Sequence, residues 1–145
     1  MSKTNTWETG LLELLFTNTT FAGVGDATGL PGAATAGSLY FSLHTSDPGE
    51  AGDQTTNECT YTSYARVAVA RSGSGWTVTG NAVAVDANVT FPGGTGGSGT
   101  ATHWGLGTAS SGAGKLLYKG AISPSIVTGS GVTPQLTAGT VVTED

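Results

Sequence analysis

From residue 38 onward the apolar segments of this chain are all short. They read SLYFSLH at 38–44, YARVAVAR at 64–71, GWTVTG at 75–80, AVAVDANVTF at 82–91, TATHWGLG at 100–107 and KLLYKGAI at 115–122, each bounded by Gly, Asn, Asp or Pro. Runs of that length, rich in Val, Thr, Tyr, Phe and Trp, are strand signals. With shorter candidates at 122–128 and 140–143, about eight strands are within reach. A parallel crossover consumes roughly a dozen residues or more, so such spacing requires antiparallel pairing. In YARVAVAR apolar side chains occupy both faces, as expected of a strand covered on both sides. An antiparallel β-sandwich follows, and with no internal repeat a solenoid or propeller is disfavoured.

Composition supports the same class. The 145 residues include 24 Gly, and charged residues make up 10% of the chain, a mixture poor in helix formers and rich in turns. A chain of this length suits a single domain over 1–145 that buries roughly two thirds of its unfolded surface. Within it, residues 1–18 form a helical segment and 19–37 a Gly/Ala/Thr-rich loop or arm. In TWETGLLELLFTN the residues Trp7, Leu11, Leu14 and Leu15 stand at helical spacing, with Thr6 and Thr9 as possible caps. That stripe rests on the chain's own core or on a neighbouring subunit. Trp7, Leu11, Leu14 and Leu15, with Leu30 and Pro31 of the arm, are therefore the candidate partner contacts. The Gly-rich run at 92–101 reads as a flexible hairpin tip.

Charge and apolar content exclude whole classes of function. Five basic against ten acidic residues give a formal charge of -5, which repels phosphate backbones and anionic membranes. No apolar run approaches the ~20 residues of a membrane span, and the first residues carry no signal-type apolar core, so synthesis in the cytoplasm is expected.

The segment most suggestive of chemistry is YFSLHTSDPGEAGDQTTNE, residues 40–58. Asp47-Pro48-Gly49 fits a type II turn, with Pro fixing φ at the second position and Gly accepting positive φ at the third. The acids of the 47–58 loop, Glu50, Asp53 and Glu58 among them, could ligate calcium, though not at EF-hand spacing. His44, Asp47 and a serine could form a hydrolytic triad, but no GxSxG elbow accompanies them. His103 lies on another strand, and no HExxH or Cys pair completes a metal shell, so no cofactor is expected. Cys59 reads as a small buried hydrophobe rather than a nucleophile. Gly94-Thr95-Gly96-Gly97-Ser98-Gly99 matches GxGxxG only formally, because a strand-like segment follows where a helix is required. In SSGAGKLLY, Leu116 stands where a P-loop needs Ser or Thr after Lys115. Trp7, Trp76 and Trp104 could supply aromatic faces for a sugar, or pack in the core.

The succession YFSLHTSDPGEAGDQTTNE, YARVAVARS, GWTVTGN, VTFP, THWGLGTASSGAGKLLY and VTED resembles small virion proteins of tailed bacteriophages, over about residues 38–145. It is most similar to jelly-roll cement or decoration proteins. That resemblance implies a jelly roll and a non-enzymatic structural protein on the capsid exterior, clamping neighbouring copies of the major capsid protein and associating with itself as a dimer or trimer. A second reading keeps the sandwich but makes it a tail or receptor-binding module, recognising a cell-surface glycan through Trp76 or Trp104 and the loop at 92–99.

Overall fold

A computed structural model of the chain describes residues 2–139 and 141–144. The elements in chain order are α1 (Asn5–Leu12), continued by a π-helical turn (Glu13–Thr17), then β1 (Ser38–His44), β2 (Val67–Ala70), β3 (Trp76–Thr79) and β4 (Ala82–Val85). β5 (Val89–Thr90), β6 (Ser98–Gly107), β7 (Leu116–Gly129), β8 (Gln135–Leu136) and β9 (Val141–Thr143) complete the chain. The strand pairs whose register is resolved are all antiparallel. The all-β antiparallel architecture with one short N-terminal helix is thus the one the strand-length pattern demands. The chain forms two compact units, one from 1–38, 70–88 and 137–145, the other from 39–69 and 89–136.

The second unit is built on a sheet in the order β2-β1-β6-β7, accompanied by the ribbon β5-β8. β1 is central and lacks a solvent face. Leu39, Phe41 and Leu43 are buried on one side, while Ser42 and His44 are buried on the other. Alternation along a strand sends these two sets to opposite faces, so both faces must be covered. The apolar side packs with Leu106, and Phe41 meets Trp104 at a centroid distance of 5.9 Å. At the outer strand, residues 122–125 of β7 face only Thr102 of β6, because Ala101 pairs with Ile126 and His103 with Ala121. The two expected strands at 115–122 and 122–128 are therefore one bulged strand. A bulge, Lys119 and Pro124 on a terminal strand are devices that discourage uncontrolled pairing along its edge.

The first unit joins the helical segment to the sheet β3-β4-β9. Its core contains Leu12, Phe16, Trp76, Val83 and Val85, with Phe16 and Trp76 in edge contact at 4.8 Å. The helical stripe differs from the expected one: Leu12 and Phe16 are buried, Leu11, Leu14 and Leu15 are half-buried, and Trp7 is exposed. The inward side runs through Glu8, Leu12 and Phe16 at intervals of four, so it is already set within α1. Neither Thr6 nor Thr9 caps the helix; Thr4 holds the cap position without a side-chain bond, and Thr9 Oγ1 donates to Gly80 O at 2.8 Å.

Arg71 ties the helical segment to the rest of this unit. Its Nε donates to Leu15 O at 2.6 Å, Nη2 to Leu14 O at 2.7 Å and Nη1 to Ala36 O at 2.9 Å. The last carbonyls of a helical segment have no intrahelical partner, and a guanidinium fork supplies several donors in one plane. Arg71→Ala should destabilise the protein by about 2 kcal/mol through the orphaned carbonyls. A lowered urea midpoint with an unchanged far-UV circular dichroism spectrum is the expected result, and an unshifted midpoint would show that water replaces the guanidinium at no cost.

Candidate functional site

Residues 45–63 leave β1 as a polar connection and cover the second face of the sheet. Space for this cover comes from β6, where residues 105 and 107 are glycines. A Cβ on Gly105 would lie 2.6 Å from His44 Nε2 and 2.7 Å from Ser42 Oγ, and one on Gly107 would lie 2.3 Å from Gln54 Cδ. Gln54, absent from the expected site residues, is the centre of the cover and is fully buried. Its backbone N–H donates to Gly114 O at 3.1 Å, its Oε1 accepts from Ala109 N at 2.9 Å, and its Nε2 reaches Tyr40 O at 3.4 Å. No local pattern in GDQTTNE marks this glutamine, because the glycines that admit it lie far along the chain.

His44 is likewise fully buried. Its Nδ1 lies 2.8 Å from Thr56 O and its Nε2 lies 2.8 Å from Ser42 Oγ. A carbonyl can only accept, so Nδ1 carries the proton and Nε2 accepts from the Ser42 hydroxyl. The pair resembles the first two members of a hydrolytic triad, but a backbone carbonyl occupies the place of the acid. Asp47 is elsewhere: its Oδ1 accepts from Gly49 N at 2.8 Å, and the same oxygen lies 3.0 Å from Lys119 Nζ. Gly49 has the positive φ of +75° expected of it, but the turn itself falls one step later, at Glu50 and Ala51. His44, Asp47 and a serine therefore do not assemble into a triad.

The remaining acids are engaged separately. Glu50 meets Lys119 at 3.1 Å, and Asp53 Oδ1 accepts from Thr55 N and Thr55 Oγ1 at 2.8 and 2.6 Å. Those bonds hold the Asp53 carboxyl below the usual carboxylate range, the Thr55 hydroxyl contributing most. Glu58 forms a two-pronged pair with Arg66, Nε to Oε1 at 2.7 Å and Nη2 to Oε2 at 2.8 Å. Arg66 also donates to Ala109 O and Gly112 O, and Tyr64 donates to Glu58 Oε1 at 2.9 Å while accepting from Leu43 N. This network anchors the 108–114 loop. Among the described residues no three His, Cys, Asp or Glu side chains converge as a metal requires.

The other sequence candidates also acquire places. Burial, with a contribution from neighbouring Glu58, pushes the Cys59 thiol up to about 11, leaving it protonated and inert at neutral pH. The Gly-rich run is not a flexible tip. Gly94 N donates to Val132 O, Thr62 N donates to Gly96 O, and β6 begins at Ser98. A Cβ on Gly94 would lie 2.0 Å from Gly129 O, so these glycines serve close chain approach rather than phosphate binding. Trp76 is buried, and the Trp104 indole lies over Gly120, whose Cβ would come within 2.6 Å of Nε1. The buried Trp76 offers no face to a sugar, while Trp104 is half-buried.

Of the candidate partner contacts, Trp7, Leu30 and Pro31 are exposed, while Leu11, Leu14 and Leu15 are half-buried. Trp7 leans on Phe21 at 5.4 Å, and Phe21 exchanges both backbone hydrogen bonds with Leu30, so the arm folds back as a small hairpin. Asn18, at φ 59°, fixes that return by bonding both N–H and carbonyl of Ala33. Among the described residues Val127 on β7 is the most exposed large apolar one, 65% accessible, and nothing in its strand-like surroundings distinguishes it in the sequence.

A family model described as podophage GP4 fiber I protein gp80 matches residues 2–144. No curated protein matches the chain.

Two outcomes follow from the covered sheet face. Gly105→Ala should cost about 1–3 kcal/mol, because the new methyl group must displace His44, Ser42 or Leu116; a thermal midpoint equal to wild type would show that the cover yields freely. Burial pushes the His44 imidazole below its ordinary 6.5, outweighing the opposing effects of the Thr56 carbonyl and Glu58. The unfolded chain then binds the proton more readily than the folded one, so this contribution is complete above 6.5 and declines as pH falls below it. Urea midpoints between about pH 7.5 and about pH 5 should drop for the wild type and drop less for His44→Gln. Equal drops would assign the loss to other groups.

Proposed function

The chain belongs to the podophage GP4 fiber I protein family, and we propose that it is a non-enzymatic β-module of a fibre carried by the virion, joined to copies of itself or to neighbouring fibre chains. Its coarser identity is that of a structural protein of a phage particle. The observation that carries the finer reading is the extent of the match, which runs over residues 2–144 and so includes both compact units.

The physical character of the units supports this reading. In the second unit, the groups that suggested chemistry are consumed in holding a loop against a sheet. Low charge, buried polar groups with partners and a bulged outer strand favour a stable building block. Partners are sought on the exposed apolar residues Trp7, Leu30, Pro31 and Val127. A fibre repeats its subunits, so modest contacts at each gain strength through multivalency.

Fractionation of purified particles into heads and tail-fibre assemblies tests the location. Peptides of this chain, and gold-labelled antibody against it, should follow the fibres. Recovery with DNA-filled heads alone would overturn the fibre reading in favour of a cement protein clamping the major capsid protein.

A further inference from the structure

A groove of about 440 Å³ opens in the first unit between the helical segment and residues 20–22. Asn5, Thr6, Thr9 and Glu13 line one wall, and Thr20 and Phe21 line the other. Residues 5, 9 and 13 succeed one another at intervals of four, which puts them along one side of the helix. Gly10 lies between them and shapes the groove: a Cβ there would be 2.5 Å from Phe21 Cζ. The tip of the Phe21 ring occupies that space, and the ring is braced against Trp7 at an interplanar angle of 50°. Phe21 is half-buried and Trp7 is 38% accessible, so both retain surface toward solvent.

The chemistry of this lining selects among ligands. No Lys, Arg or His lines the groove, and Glu13 repels anions, so a phosphate or carboxylate ligand finds no counter-charge. A wholly apolar ligand would strip water from an amide, a carboxylate and three threonine hydroxyls without replacing it. A neutral sugar satisfies both constraints, presenting a C–H face to an aromatic ring and hydroxyl donors to carboxylate and amide acceptors. Thr9 already donates its proton to Gly80 O, leaving its oxygen free to accept such a hydroxyl.

We propose that the groove between the helical segment and residues 20–22 binds a neutral hexose or N-acetylhexosamine, with Phe21 under its C–H face and Glu13, Asn5 and the threonines on its hydroxyls. This gives the fibre reading a ligand class and rests on it for biological setting, but the two fail separately: fractionation concerns location, and binding in solution concerns the groove.

The full-length, ¹⁵N-labelled protein is titrated with the methyl glycosides of glucose, galactose, rhamnose and N-acetylglucosamine while amide shifts are followed. At least one should move amides of residues 5–13 and 20–22, with a dissociation constant on the order of 1 mM, typical of a single shallow subsite. Phe21→Ala should weaken that binding about tenfold, equal to about 1.4 kcal/mol. Because Phe21 also fills the space above Gly10, Glu13→Gln provides a milder variant, expected to weaken binding severalfold with an otherwise superimposable spectrum. Absence of shifts with all four glycosides would overturn the proposal, as would shifts confined to other residues or affinity unchanged in Glu13→Gln. A response to a lysine tripeptide but to no sugar would also overturn it and assign the groove to a basic peptide.

Discussion

His44 and Gln54 lie in the space that Gly105 and Gly107 leave open on β6, and the second unit is organised around that fit. A side chain at either position would lift the connection after β1 away from the sheet. With hydrogen there, a polar segment becomes a second covering layer without an apolar residue at its centre. Its stability comes from satisfied hydrogen bonds: Thr56 O and Ser42 on His44, and Ala109 N and Tyr40 O on Gln54. Such bonds contribute little each, but their loss inside a covered layer is costly, because the stranded partner keeps its desolvation penalty. Chemistry that looks catalytic in one dimension is therefore cohesive in three.

Charge follows the same logic in both units. Arg66 closes the 108–114 loop by sharing its donors between Glu58 and two carbonyls, and Arg71 donates to three carbonyls of the helical segment and arm. Lys119 holds Asp47 and Glu50, and Lys3 pairs with Glu144. Four of the five basic residues are thus committed to internal partners. Glu8 is buried, and the other described acids are exposed or half-buried, while these cations fasten loops and the chain's ends.

Legibility in the sequence depended on how local the determining interaction was. β1 ends where its alternation ends, at His44, because sheet burial on both faces is written into consecutive residues. The helix was legible as an element but not in its phase, since the inward side runs through Glu8, Leu12 and Phe16 and Glu8 gives no apolar signal. The expected strand at 82–91 is broken because Asp86 accepts from Thr77 Oγ1 and Asn88 accepts from Ala138 N, contacts between distant residues. β8 was missed because two residues in a Pro- and Gly-flanked stretch carry no period. For the candidate site the same distinction holds. The positive φ of Gly49 is local and was readable, whereas Gln54 and its glycines meet only through the fold. GxGxxG misled for the converse reason: glycines demanded by close packing imitate glycines demanded by phosphate.

Where aromatic surface survives then becomes informative. Trp76 is buried against Phe16, and the half-buried Trp104 packs on Phe41 and Gly120. Trp7 and Phe21 escape because Gly10 lets Phe21 stand partly upright beside the helix instead of lying against a core. The sugar subsite proposed there would bind at an affinity on the order of 1 mM, too weak to retain a particle alone. Repetition changes the arithmetic, since linked sites raise avidity by about 10²–10⁴ when their spacing permits simultaneous engagement. On the proposed reading a shallow groove and a repeated carrier would complement each other: a fibre presenting many copies would let so weak a site serve.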